Sequence, residues 1–249
     1  MAFMALLLVS SSALAGPPYR TDDPEPVDYQ HYELFTFSTG TRVSGETSGN
    51  APAVEFDYGV VPNGRVAIIA PMAFDRVTGG PFAWGYGDTD LEFKYRFAGQ
   101  DKNGWRPAVA VVPSIEVPSG DFWRGLGNGS ARVFLPLWLQ KDFGDWTTYG
   151  GGGYWINHGR DNKDFWFAGW VLQRKVTDKL AIGAEVFHQA ADKINRQDET
   201  GFDVGAIYDF TENFHFLFSV GRGLQHAKTT NELSWYIGLL VTDAVEKTP

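Results

Sequence analysis

Asp88-Thr89-Asp90-Leu91-Glu92-Phe93-Lys94-Tyr95-Arg96-Phe97 puts Thr89, Leu91, Phe93, Tyr95 and Phe97 on one face of a strand and Asp88, Asp90, Glu92, Lys94 and Arg96 on the other, because successive side chains of a strand point to opposite sides. A soluble strand turns its apolar face to a core and its charges to water. A barrel that spans lipid inverts this: the aromatic face meets the bilayer and the charged face lines the lumen. The same alternation recurs from Tyr29 to Thr242, cut by Gly, Asn and Asp turns. The repetition predicts an all-β chain folded as a transmembrane, antiparallel, up-and-down β-barrel.

About twelve strands are expected, near residues 30–41, 51–61, 65–77, 87–98, 106–118, 130–143, 147–158, 165–176, 180–190, 201–210, 214–223 and 234–243, lengths suited to a tilted crossing of the hydrocarbon layer. Val61-Pro62-Asn63-Gly64, Phe143-Gly144-Asp145-Trp146, Thr177-Asp178-Lys179 and Thr211-Glu212-Asn213 read as tight turns. They alternate with longer links such as Ser119 to Gly129 and Ala191 to Thr200. Short turns on one side and long loops on the other mark outer-membrane barrels, and a periplasmic N-terminus places every tight turn on the periplasmic side. The predicted location is the bacterial outer membrane.

Composition narrows the rest. Nine Trp, nineteen Phe and 29 Gly in 249 residues suit aromatic girdles and close strand packing. Beyond the N-terminus no run of about 18 apolar residues exists, so helical membrane spans are excluded. A net charge of -9 argues against nucleic acid, whose phosphates call for a Lys/Arg surplus. Without Cys there are no disulfides, thiolate metal sites or Cys nucleophile.

The domain organisation follows from the ends. Residues 1–15 form an apolar stretch closing on Ala13-Leu14-Ala15, a small-x-small pattern that reads as a signal peptide. Residues 16–28, with Pro17, Pro18, Pro24 and Pro26 among Asp22, Asp23 and Glu25, are too rich in Pro and charge for a sheet interior and form a periplasmic leader or lumen plug. The barrel occupies 29–243, and 244–249 is a C-terminal tail that departs from the terminal aromatic strand common in such barrels.

Tyr19-Arg20-Thr21-Asp22-Asp23-Pro24-Glu25-Pro26-Val27, Gly85-Tyr86-Gly87-Asp88 with Lys94-Tyr95-Arg96-Phe97, Leu135-Pro136-Leu137-Trp138, and the run from Tyr149 to Asn157 together resemble a family of outer-membrane transporters named for the meta-cleavage pathway of phenol degradation. The resemblance spans nearly the whole chain after the signal and implies a membrane barrel with a transport role. It brings no catalytic residues with it.

The charges assigned to the inner face are the functional candidates: Glu55, Asp57, Asp88, Asp90, Glu92, Lys94, Arg96, Glu116, Arg132, Glu185, Asp203 and Asp209. Charged rings in a pore set ion preference and solute orientation; the competing reading is a closed plug in which acids and bases satisfy one another. The acids Glu55, Asp57, Asp88, Asp90, Glu116, Glu185 and Asp203 are expected toward the extracellular mouth, with Lys94 and Arg96 forming an inner, anion-tolerant constriction. A third reading pairs Ser130 with His158 as a lipid hydrolase at the rim, without an orienting residue or oxyanion donors. His158, His188 and His226 end alternate strands about 9 to 10 Å apart, too far for a shared tetrahedral metal. Pro-separated Asp22, Asp23 and Glu25 lack the further ligands Ca²⁺ needs. The Gly150–Gly153 run is no phosphate loop; it bends the wall or admits a bulky neighbour. The sequence therefore points to a passive uptake channel for small, aromatic or otherwise apolar solutes, with neither enzymatic activity nor cofactor. Its expected partners are membrane lipid, lipopolysaccharide, the solute and the barrel-assembly machinery.

Overall fold

The computed structural model describes residues 17–101 and 104–243; the expected signal segment 1–15 and tail 244–249 lie outside the described residues. The strands are β1 (Tyr32–Val43), β2 (Glu46–Val61), β3 (Gly64–Val77), β4 (Phe82–Tyr86), β5 (Thr89–Ala98), β6 (Ala108–Val111), β7 (Ser114–Val117), β8 (Arg132–Phe143), β9 (Trp146–Ile156), β10 (Phe165–Thr177), β11 (Leu180–Gln189), β12 (Glu199–Asp209), β13 (Phe214–Gln225) and β14 (Leu233–Thr242). All their ladders are antiparallel, and β14 pairs with β1 from Glu33↔Thr242 to Arg42↔Leu233, which closes the barrel. Fourteen segments make twelve crossings. β4 and β5 both pair with β3 and form one crossing interrupted at Gly87-Asp88. β6 and β7 both pair with β5 and β8 and form another, interrupted at Val112-Pro113.

Alternation sets the two faces. Leu91, Phe93, Tyr95, Ile115, Leu135, Leu137, Val186, Val204, Ile237 and Leu239 are exposed on the outside, while Lys94, Glu116, Trp138, Glu185, Asp203 and Leu240 on the same strands are buried within. An outer wall this apolar is stable only against lipid. Exposed aromatics gather near the strand ends: Tyr32, Phe143, Trp146, Phe210 and Phe214 at one rim, Trp84, Tyr86 and Trp166 at the other. Such belts sit at the two membrane interfaces.

Two expected loops are sheet instead. Residues 46–50 extend β2, so β1 and β2 meet at a tight turn of Ser44 and Gly45, the latter at φ 87. Residues 82–86, expected within a loop, pair with β3. Residues 46–50 are Glu-Thr-Ser-Gly-Asn, whose small polar side chains hide the alternation, whereas Phe82, Trp84 and Tyr86 alternate with Ala83 and Gly85 over only five residues before the break at Gly87. Gly49 pairs with Gly40, and from the flanking strands Phe74 and Trp235 stack over them with ring centroids 6.4 Å apart. Of the tight turns expected from sequence, those at 62–63, 144–145 and 178–179 join consecutive strands directly. They share one rim, whereas 118–131, 157–164, 190–198 and 226–232 connect strands at the other.

Candidate functional site: the lumen and its leader

The inner wall divides by chemistry. On β2, β3 and β5, Arg65 lies 3.2 Å from both Asp57 and Glu92, and Glu55 lies on the same face of β2 as Asp57. Toward the long-loop rim Arg132 pairs with Glu116 at 2.6 Å, and Asp90 sits across the ladder from Glu116. The Asp88 carboxylate accepts from the backbone N–H groups of Gly120 and Asn128, so it fastens the loop after β7. On the opposite wall, fully buried Glu185 accepts from the leader, and Asp203 accepts from Ser234 at 3.0 Å. Asp209 lies at the short-turn rim, 2.7 Å from the His215 ring.

This layout corrects two expectations. Asp57 does not belong to a mouth of acids: it pairs with Arg65, one residue inside the turn at 62–63. Lys94 and Arg96 are not a free basic constriction, because the leader neutralises both. Lys94 Nζ lies 2.9 Å from Asp22 and 3.8 Å from Asp23, and Arg96 pairs with Glu25.

The leader runs inside the barrel. Pro18 offers its carbonyl to Ser219 at 2.6 Å, and Tyr19 packs on Tyr149 and Val171. The backbone N–H groups of Arg20 and Thr21 donate to Glu185 at 2.9 and 2.8 Å, as does the Thr21 hydroxyl. Glycines make room for it: a Cβ on Gly169 would fall 1.9 Å from the Thr21 hydroxyl, and one on Gly183 would fall 2.6 Å from the Tyr19 hydroxyl. Gln30 then donates to the Gly59 carbonyl at 2.8 Å, delivering the chain into β1. Burial raises the Asp23 carboxyl to about 7, against the pull of Lys94 and with a further push from Asp22. Burial also opposes charge on Asp22, but Lys94 and Arg65 outweigh it and hold that group below its ordinary value.

An inner aromatic arc was not visible in the sequence, where inward Phe and Trp look like any other apolar residue. Phe134 stacks on Trp155 at 4.6 Å, Trp155 on Phe165 at 5.7 Å, and Phe167 lies 6.4 Å from each of Phe134, Trp138 and Phe187. Gly151 and Gly153 admit these rings, since a Cβ would meet Trp138 at 3.1 Å or Phe134 at 2.7 Å. Two guanidinium groups lie on the arc, Arg132 over Trp155 at 4.8 Å and Arg20 over Phe187 at 4.2 Å. Alternation held the signal that could have found the arc: on β10 and β11 Phe165, Phe167 and Phe187 share the face of Glu185, not that of Trp166 and Val186.

Ser130 and His158 do not form an acyl-transfer pair. The Ser130 hydroxyl donates to the His158 backbone carbonyl rather than to its ring, and the ring, 81% exposed, is 3.7 Å from Asp164. His188 is bonded to Thr200 and His226 to the Asp198 carbonyl. Among the described residues no group of three or more His, Asp or Glu could hold a metal ion.

Residues 29–233 match the family described as "Putative MetA-pathway of phenol degradation". The chain belongs to that family. No curated protein matches. Solved structures show how its fold recurs. An outer membrane channel from Pseudomonas putida F1 is 14% identical with a TM-score of 0.72, covering 89% of this chain and 98% of that one. The NanC porin is 11% identical at a TM-score of 0.57, covering 84% and 98%. The KdgM porin, solved with disordered oligogalacturonate, is 8% identical at 0.55, covering 85% and 99%. At these identities the likeness is one of fold, and it places this family member among closed membrane barrels.

Proposed function

We propose that the protein is a bacterial outer-membrane channel for passive uptake of small aromatic or otherwise apolar solutes, with its leader as a movable plug. The observation that carries this reading is the divided lumen: an arc of aromatic rings packed face-on and edge-on along β8 to β11 faces a charged wall on β2, β3 and β5. Ring faces bind flat apolar solutes by stacking, and the opposite wall keeps the space hydrated. The leader is held largely by ion pairs and hydrogen bonds, which water can replace more readily than it can wet a continuous apolar core. Inward acids outnumber inward bases, so the lumen favours cations over anions among ions. The outer wall calls for lipid and lipopolysaccharide around it, and for the barrel-assembly machinery to place it there.

The seated leader itself supports a second reading, a structural barrel with a filled lumen. Solute flux separates the two. Purified protein in planar bilayers and in liposome-swelling assays should pass ions and small aromatic solutes; silence in both assays, even after removal of residues 17–27, would favour the structural barrel.

A further inference from the structure

We propose that the faces of Phe167 and Phe187 form a subsite for a planar aromatic solute, and that Arg20 couples occupancy of this subsite to release of the leader. The proposal rests on the channel reading above. Arg20 stands out of the leader's seat: its neighbours Tyr19 and Thr21 are buried in the glycine-lined wall, while Arg20 is exposed. Its guanidinium reaches 4.2 Å from the Phe187 centroid and 5.5 Å from that of Phe167. Those two rings are 6.4 Å apart and inclined by only 21°, so together they offer one broad π surface.

A guanidinium is flat and rests on ring faces as an aromatic ring does. It therefore holds the position a stacked solute ring would take, and the two compete. When the guanidinium is displaced, more than the ring contact is lost. Arg20 also reaches Glu199 at 3.2 Å and Gln189 at 2.6 Å, and both contacts depend on the same side-chain placement. What then remains at this end of the leader is the backbone of Arg20 and Thr21 and the Thr21 hydroxyl on Glu185, the Pro18 carbonyl on Ser219, and the packing of Tyr19. Solute binding thus weakens the seat, and by linkage the seated leader weakens solute binding by the same factor. The device discriminates by chemistry, because an aliphatic ring of equal size has no π face to exchange for the one Arg20 gives up.

The test uses a cysteine in place of buried Pro24 as a reporter in a chain that has no other Cys. Its reaction rate with a small thiol reagent is measured in vesicles with phenol, with cyclohexanol, or with neither. Phenol should raise the rate about fivefold, within the range that cation–π contacts supply, and cyclohexanol less than twofold. Arg20→Lys keeps a charge for Glu199 but loses the flat face, and Phe187→Leu removes the platform; in each the phenol effect should fall below twofold. Equal responses to phenol and cyclohexanol, or wild-type responses in both variants, would overturn the proposal. Conductance of the chain lacking residues 17–27 separates the two claims. A conducting barrel without a phenol-specific response removes the coupling alone, whereas a barrel that never conducts removes the channel reading beneath it.

Discussion

Replacing Lys94 with Met should loosen the leader far more than replacing Arg96 with Ala, although each base meets a leader carboxylate. The Lys94 side chain is 3% exposed and faces Asp22 at 2.9 Å and Asp23 at 3.8 Å, with Asp23 fully buried. Removing one partner of a buried pair leaves uncompensated charge, typically at a cost of about 3–5 kcal/mol. Asp22 is 25% exposed, and water at that carboxylate moves the expectation to the lower end, about 3 kcal/mol or roughly a hundredfold in the equilibrium between seated and free leader. Arg96 and Glu25 are 25% and 27% exposed, and pairs that water reaches are worth about 0.2–1 kcal/mol, at most roughly fivefold. The reaction rate of a cysteine at position 24 with a small thiol reagent reads that equilibrium directly. Comparable rates in the two variants, or a slower rate in the Lys94 variant, would refute the claim that the buried pair holds the leader in place.

The remaining expectations can be checked separately. Leu135, 51% exposed on the outer wall, changed to Arg should cost about 2 to 4 kcal/mol in a folding titration into lipid vesicles, as a charge near the bilayer midplane does; a neutral effect would remove lipid from that face. A cysteine at Arg124 or Arg196 should react with an impermeant thiol reagent on intact cells, whereas one at Asn63 or Asp178 should not, and the reverse pattern would invert the topology. Asp90→Asn should lower the cation preference read from reversal potentials in a salt gradient; an unchanged value would reject a role for that acid. Because the Asp23 carboxyl is raised in the seated leader to about 7 from an ordinary value of 3.8, its protonated form favours the seat. That contribution is complete below about pH 3.8 and is lost as pH rises through 7. The position-24 cysteine, corrected for its own ionisation against a free thiol, should become more reactive between pH 6 and 8, and a decrease would contradict the sign.

The wall was legible in the sequence because a period of two survives wherever each face is chemically uniform. Thr89 to Phe97 and Leu135 to Leu137 are such places, and their faces stand as the alternation implied. The stretch 46–50 escaped because Gly and small polar residues carry little contrast between faces, and 82–86 because its alternation of Phe82, Trp84 and Tyr86 with Ala83 and Gly85 is only five residues long and is cut off at Gly87. Both broken crossings contain a residue that resists a regular ladder: Gly87 precedes β5, and Pro113, which has no N–H, separates β6 from β7. The lumen was less legible for a different reason. Which charges pair depends on how the leader lies across strands far away in sequence: Thr21 and Glu185, or Lys94 and Asp22, meet only once the barrel is closed. The glycines at 169 and 183 likewise read as generic wall residues until Thr21 and Tyr19 are seen to occupy the space they leave.

The central claim is that a leader seated by specific contacts closes an otherwise open membrane pore. Single-channel conductance of the full chain compared with the chain lacking residues 17–27, in the same planar bilayer, tests it most directly. Removing the leader should produce larger, stable, cation-favouring openings, because the charged wall on β2, β3 and β5 and the aromatic arc on β8 to β11 would then border open water. Equal conductance in the two chains would contradict the claim.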